Sequence, residues 1–276
     1  MRRIALPVLT LLAVLLISQP ADAQLNREVP DALQNLGIDE HLGENIPLDA
    51  KFATSKGDSV RIGDLLEEGK PVLLNPLYYD CPMLCGLVIE GVLNVVDELE
   101  WKPGKEFTVI SFSIDPTENA ELAASSKQNY LSNMDPAVND GWHFLTGSKS
   151  QIDKMIDAVG FQYKEIEETG EYAHTAAIIL LSPEGKITRY LYGITYNEFD
   201  VRGALYESAN GKIGDALTKV LMYCYQYDPD SNSYAPLATN IMKLGGLATL
   251  IFLGIFLGLL WLREKRLKTT SKTEFN

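Results

Sequence analysis

Basic residues, histidines and cysteines are all scarce in this chain. Lys and Arg number 24 against 37 Asp and Glu, for a formal net charge of -13. Phosphate binding relies on clustered Lys and Arg, so this balance excludes a nucleic-acid partner. Cys81, Cys85 and Cys224 cannot form a disulfide framework, because an odd number leaves at least one thiol outside any monomeric pairing. Only three histidines are present, and no proline lies between Gly170 and Leu181.

What is present suffices for a core. With 46% hydrophobic residues over 276 positions, the chain suits one globular domain with appendages. Long apolar runs are confined to its two ends. Met1-Arg2-Arg3, the apolar stretch Ile4 to Ile17 and Ala21-Asp22-Ala23 read as a signal peptide over 1–23, so the following domain is exported. The second run, a span over 241–262, has no charge from Leu244 to Leu262 and is followed by Arg263, Lys265, Arg266 and Lys268. Such a length crosses a ~30 Å hydrocarbon core, and the flanking charge places the tail 263–276 in the cytoplasm.

Between these ends, 24–48 is a polar, irregular lead-in. Val60 to Leu66 reads as a short helix, Pro71 to Tyr79 as a buried strand, and Leu84 to Leu99 as a helix. Phe107 to Ile114 is the next strand, with a helix opening at Asp115-Pro116-Thr117 and running to about Leu131. Then come a strand at Trp142 to Leu145, a helix over Ser148 to Val159, a hairpin of Thr175 to Leu181 with Ile187 to Tyr192, and a helix around Asp200 to Tyr223. This order is that of a thioredoxin-like α/β three-layer sandwich over 49–225. The polar residues of 226–240 look like a tether to the membrane helix.

Cys81 and Cys85 lie where the first strand runs into its helix, in Tyr79-Asp80-Cys81-Pro82-Met83-Leu84-Cys85-Gly86. A structural staple is a poor account of them, since closing so short a loop removes little entropy beside the ~3 kcal/mol expected of a 15-residue loop. A helix N-terminus lowers thiol pKa, which serves metal binding and thiol exchange alike. Two sulfurs and one imidazole suit copper in either oxidation state. A zinc structural site wants four ligands. His143 is the available fourth, but it falls within the strand Trp142 to Leu145, where an edge or core histidine is expected. His174 directly precedes an apolar strand, at the loop that this fold brings beside its active cysteines and where a disulfide oxidoreductase carries proline. Asp115 reads either as a partner behind the ligands or as a helix cap, and Cys224 as a free or buried thiol. A peroxidase fits poorly, because Tyr78 stands where that motif needs a hydroxyl-bearing Thr or Ser.

Cys81-Pro82-Met83-Leu84-Cys85, Ser113-Ile114-Asp115-Pro116 and His174-Thr175 before a strand ending in Pro183-Glu184-Gly185-Lys186 together resemble the Sco/SenC family of copper-binding, thioredoxin-like proteins. The resemblance covers roughly Asp49 to Leu205. It implies copper, as Cu(I) or Cu(II), held by Cys81, Cys85 and His174. It also implies a metallochaperone rather than an enzyme, assisting the dinuclear copper centre of cytochrome c oxidase subunit II and working with a copper donor or thiol reductant. The place would be the outer side of a bacterial cytoplasmic membrane. The chain departs from the family in its C-terminal anchor, in Ala173 where an aspartate is common, and in Gly86 where proline often follows the second cysteine. A thiol-disulfide reductase that keeps the oxidase cysteines reduced is the alternative. A sensor is a weaker reading, since a tail of about 14 residues is too short for an output domain.

Overall fold

The computed structural model describes residues 37–81, 84–166, 171–210, 222, 225–228 and 233–273. The signal peptide, most of the lead-in, Pro82, Met83 and Cys224 lie outside the described residues.

In chain order the elements are β1 (Lys51–Thr54), β2 (Ser59–Arg61), a 3-10 turn (Ile62–Leu65), β3 (Val72–Leu77), α1 (Leu84–Glu98), β4 (Thr108–Ser113), α2 (Ala120–Leu131), α3 (Pro136–Gly141) and β5 (Trp142–Thr146). They continue with α4 (Lys149–Ala158), β6 (Tyr163–Ile166), β7 (Glu171–His174), β8 (Ala177–Leu181), β9 (Ile187–Tyr192), α5 (Glu198–Ser208), β10 (Tyr225–Asp228), β11 (Ser233–Pro236) and α6 (Ala238–Thr273).

Seven strands form one mixed sheet in the order β2-β1-β5-β4-β3-β8-β9. β3, β4 and β5 run parallel, while β8, β9, β1 and β2 add antiparallel edges. Every residue of β3 and β4 is buried. Burial at successive positions means cover on both faces, the condition of parallel strands inside a layered α/β fold. The expected thioredoxin-like architecture is therefore present, with α1 seating Val88, Ile89, Val92, Val95 and Val96 in the core. Full burial of each such side chain stabilises by roughly 1.5–3 kcal/mol. Gly91, on the same helix, lies against the Ile194 carbonyl so closely that a Cβ would collide with it.

Three local expectations are corrected. The helix expected over Val60 to Leu66 is β2 followed by the 3-10 turn, because the Asp64 carboxylate takes both the Arg61 amide and its guanidinium and tightens the chain there. The helix expected to open at Asp115 starts at Ala120, because Asn119 supplies the cap, its Oδ1 accepting the Leu122 amide at 3.0 Å. The stretch expected as a tether holds the β10/β11 hairpin. Its Tyr234 amide donates to Asp200 Oδ1 at 2.7 Å, Tyr225 packs on Phe199 at 4.7 Å between ring centroids, and the Arg189 guanidinium sits 4.0 Å over the Tyr227 ring. Beyond the hairpin, α6 contains Thr239–Trp261, long and apolar enough to cross a membrane.

Candidate metal centre

Strand direction brings the predicted residues to one end of the sheet. β3 and β4 are parallel and in register to Leu77↔Ser113, so their C-terminal ends lie side by side. β8 is antiparallel to β3, so its beginning lies at that same end. Cys81 follows β3 by four residues, Asp115 follows β4 by two, and His174 precedes β8 by three. The pairing of β3 with β8 ends at Leu74↔Ile179. Pro76, which has no N–H to give to a ladder, falls beyond that last pair. The crevice beyond the carboxyl ends of parallel strands is the usual ligand position in such sheets.

Aromatic contact joins the two halves of the site. Tyr78, buried at the end of β3, lies 6.1 Å from the His174 ring and 5.5 Å from the Tyr172 ring, both edge-on. Phe161 covers His174 at 5.5 Å, and Tyr163 meets Tyr172 at 5.5 Å across the β6/β7 ribbon. His174 is half-buried, with Nδ1 at 3.0 Å from the Thr175 carbonyl oxygen. A carbonyl only accepts, so the ring donates through Nδ1. Cys81 is half-buried just before α1, and the backbone of Cys85 stands in the first turn of that helix. The side chain of Cys85 lies outside the described residues. Among the described residues no three His, Cys, Asp or Glu side chains form a metal cluster.

Asp115 closes its own turn: Oδ1 accepts from the Thr117 amide and hydroxyl, both at 2.7 Å. His143 is placed elsewhere. It lies in β5 opposite Ile110 of β4, two strands from β3, and lines a cavity of about 460 Å³ with Lys56, Asp58 and Lys127. Burial first, then the Lys127 charge, pushes its imidazole down to about 4. Gly86 fits closely against α2, where a Cβ would stand 3.2 Å from the Tyr130 hydroxyl.

Two residues near the site make contacts that the sequence did not foretell. Tyr79 sends its phenol under the sheet end, where it accepts the Leu145 amide at 2.8 Å and reaches the carbonyls of Leu145 at 2.9 Å and Ser111 at 3.0 Å. Burial raises its pKa well above the ordinary value. Glu118 reaches back from the loop after β4, with Oε2 accepting the Tyr79 amide at 3.0 Å and Oε1 the Asp80 amide at 2.8 Å. Burial raises its carboxyl above the usual range, opposed by these bonds and by the Ser113 hydroxyl.

Comparison with known proteins agrees with this architecture. The SCO1/SenC family model matches residues 42–202. The mitochondrial protein SCO2 homolog of Bos taurus is 31% identical over 127 residues, 44% of this chain and 45% of that protein, so the chain spans less than half the length of this curated relative. A proposed electron transfer protein of Aquifex aeolicus has 29% identity and a TM-score of 0.55, covering 62% of this chain and 95% of that one. Arabidopsis thaliana ScoI, whose crystal structure has copper bound, gives 18% identity and a TM-score of 0.47 over 62% of this chain and 97% of that one. With the family model matched over more than half its length, the chain belongs to the SCO1/SenC family.

Proposed function

We propose that this protein is a membrane-anchored copper metallochaperone for cytochrome c oxidase, with Cys81, Cys85 and His174 as ligands and the dinuclear centre of subunit II as destination. Sco proteins bind copper and take part in oxidase assembly, and the donor set here fits that cargo. Two thiolates favour Cu(I), and an imidazole adds tolerance of Cu(II). The single observation that carries the reading is the contact of Tyr78 with His174. It ties the strand leading into Cys81 to the histidine, whose Nδ1 lies 3.0 Å from the Thr175 carbonyl oxygen. Asp115, whose carboxylate serves its own turn, would act only from behind these ligands. α6 would hold the domain at the outer face of the cytoplasmic membrane, with its basic C-terminal stretch inside. Release of copper to a target would proceed by exchange of thiolate ligands, one at a time.

The test is an anaerobic Cu(I) titration of the reduced, detergent-solubilised full chain against a competing chelator. One tightly held copper per wild-type chain, and its loss in Cys81→Ser, is the expected result. Equal binding by both proteins contradicts the reading.

Cys81, three residues before the start of α1, and Cys85 in its first turn also favour thiol exchange. In that reading one thiolate attacks a disulfide of the oxidase and forms a mixed disulfide. The second thiolate then displaces the substrate thiol, so two electrons and two protons pass to the substrate and a Cys81–Cys85 disulfide remains. Turnover on an oxidised subunit II peptide that survives His174→Ala would favour reduction over delivery.

A further inference from the structure

Glu118 has both carboxylate oxygens committed to the turn that ends in Cys81. The Tyr79 and Asp80 amides, the last two before the cysteine, donate to Oε2 and Oε1 respectively. Its own loop does not call for it. Asn119 already caps α2, and Asp115 closes the preceding turn through Thr117. A half-buried carboxylate is costly unless it is hydrogen-bonded, and bonds from N–H groups to an ionised acceptor are the stronger kind. Ser113 Oγ has one proton, which can go to the Asp115 carbonyl at 3.2 Å or to the Glu118 carboxylate. The loop after β4 is thereby linked to the loop after β3 by a two-pronged side-chain clamp, one residue short of the thiol.

We propose that Glu118 is a positioning residue, whose carboxylate fixes the backbone of Tyr79 and Asp80 and so sets where Cys81 presents its sulfur. The inference rests on Cys81 being used at the site, as in the copper reading above. A glutamine at 118 keeps the shape but turns an NH2 group toward one of the two amides, leaving two donors face to face. The clamp opens on one side and the Cys81 turn relaxes while the sheet stays intact.

The experiment compares the full chain in detergent, wild type against Glu118→Gln and Glu118→Asp, in four readouts. These are hydrogen exchange at Tyr79 and Asp80, the alkylation rate of Cys81 with Cys85 and Cys224 changed to Ser, Cu(I) affinity, and the thiolate-to-Cu(II) absorption band. The expected result for Glu118→Gln is at least tenfold faster exchange at the two amides and an alkylation rate changed by about threefold or more. Copper affinity should fall about tenfold, as for residues that orient metal ligands, and the absorption band should shift, all with the unfolding midpoint little changed. Glu118→Asp should recover part of each effect. Unaltered exchange and alkylation overturn the proposal whatever copper does. If both variants fail to fold, the wild-type exchange decides: protected Tyr79 and Asp80 amides support the clamp, and amides exchanging at the rate of open loops overturn it. A wild type that binds no copper, yet shows faster exchange and altered alkylation in Glu118→Gln, sinks the copper reading and leaves the positioning role standing.

Discussion

A carbonyl can only accept, so His174 donates through Nδ1 to the Thr175 oxygen at 3.0 Å, and the proposed copper bond falls to Nε2. His174→Ala removes that nitrogen. Its expected effect is a Cu(I) affinity lowered by about ten- to a hundredfold without loss of fold, read by chelator competition and the unfolding midpoint. Tyr79→Phe acts on stability instead. The variant strips a buried phenol that bonds to β4 and β5 and takes the partner from the Leu145 amide, costing about 1–3 kcal/mol in a urea melt. His143 supplies a pH dependence. Its folded pKa, about 4, lies below the usual 6.5. The unfolded chain therefore binds the extra proton first as pH falls, so stability is present above about 6.5 and is lost toward pH 4. Melts of His143→Gln should show a flatter profile over that window. At this scale the cysteines and His174 were legible as candidate ligands because thiols and imidazoles are rare here and stand at strand ends. Tyr79 and Glu118 were not, since each acts through backbone groups more than thirty residues away.

Elements divide by the kind of burial that they experience. β3, β4 and β8 were readable because strands buried on both faces are largely apolar, the buried exceptions being Asn75 in β3 and Thr108, Ser111 and Ser113 in β4. β6 and β7 pair only with each other in a two-stranded ribbon, and their mixed sequences YKEI and EYAH give no alternation to follow. The hairpin of β10 and β11 was hidden by its Asp, Ser and Asn residues. The signal that could have revealed it is the tyrosine pattern Tyr225, Tyr227 and Tyr234, since these rings meet Phe199, Arg189 and each other. Tyr234 also lies over Gly203, where a Cβ would come within 2.8 Å of the ring. Tyr234→Ala should therefore loosen the hairpin, and limited proteolysis should cut between α5 and α6 faster than in the wild type. Unchanged cleavage would contradict the docking. Gly91→Ala tests the packing of α1, since the added methyl meets the Ile194 carbonyl. Overpacking of this kind costs about 1–3 kcal/mol, and a midpoint equal to that of the wild type would show that the helix has room.

Among the described residues a globular part is joined to a long helix that is apolar over Thr239–Trp261. Leu237 alone separates β11 from α6, and the hairpin itself is held to α5 through Tyr234 and Asp200. With α6 as the proposed anchor, a domain attached in this way would work close to the bilayer surface. Removal of everything after Pro236 should move the chain from the carbonate-resistant membrane fraction to the soluble one, and retention in the membrane would contradict an anchor in α6. For this SCO1/SenC family member the site proposed is copper held by two sulfurs and one nitrogen. X-ray absorption at the copper edge of the reduced, copper-loaded full chain tests that most directly. The account predicts two sulfur scatterers and one imidazole nitrogen, with the nitrogen lost in His174→Ala. An identical spectrum in the variant, or a shell without sulfur, would contradict it.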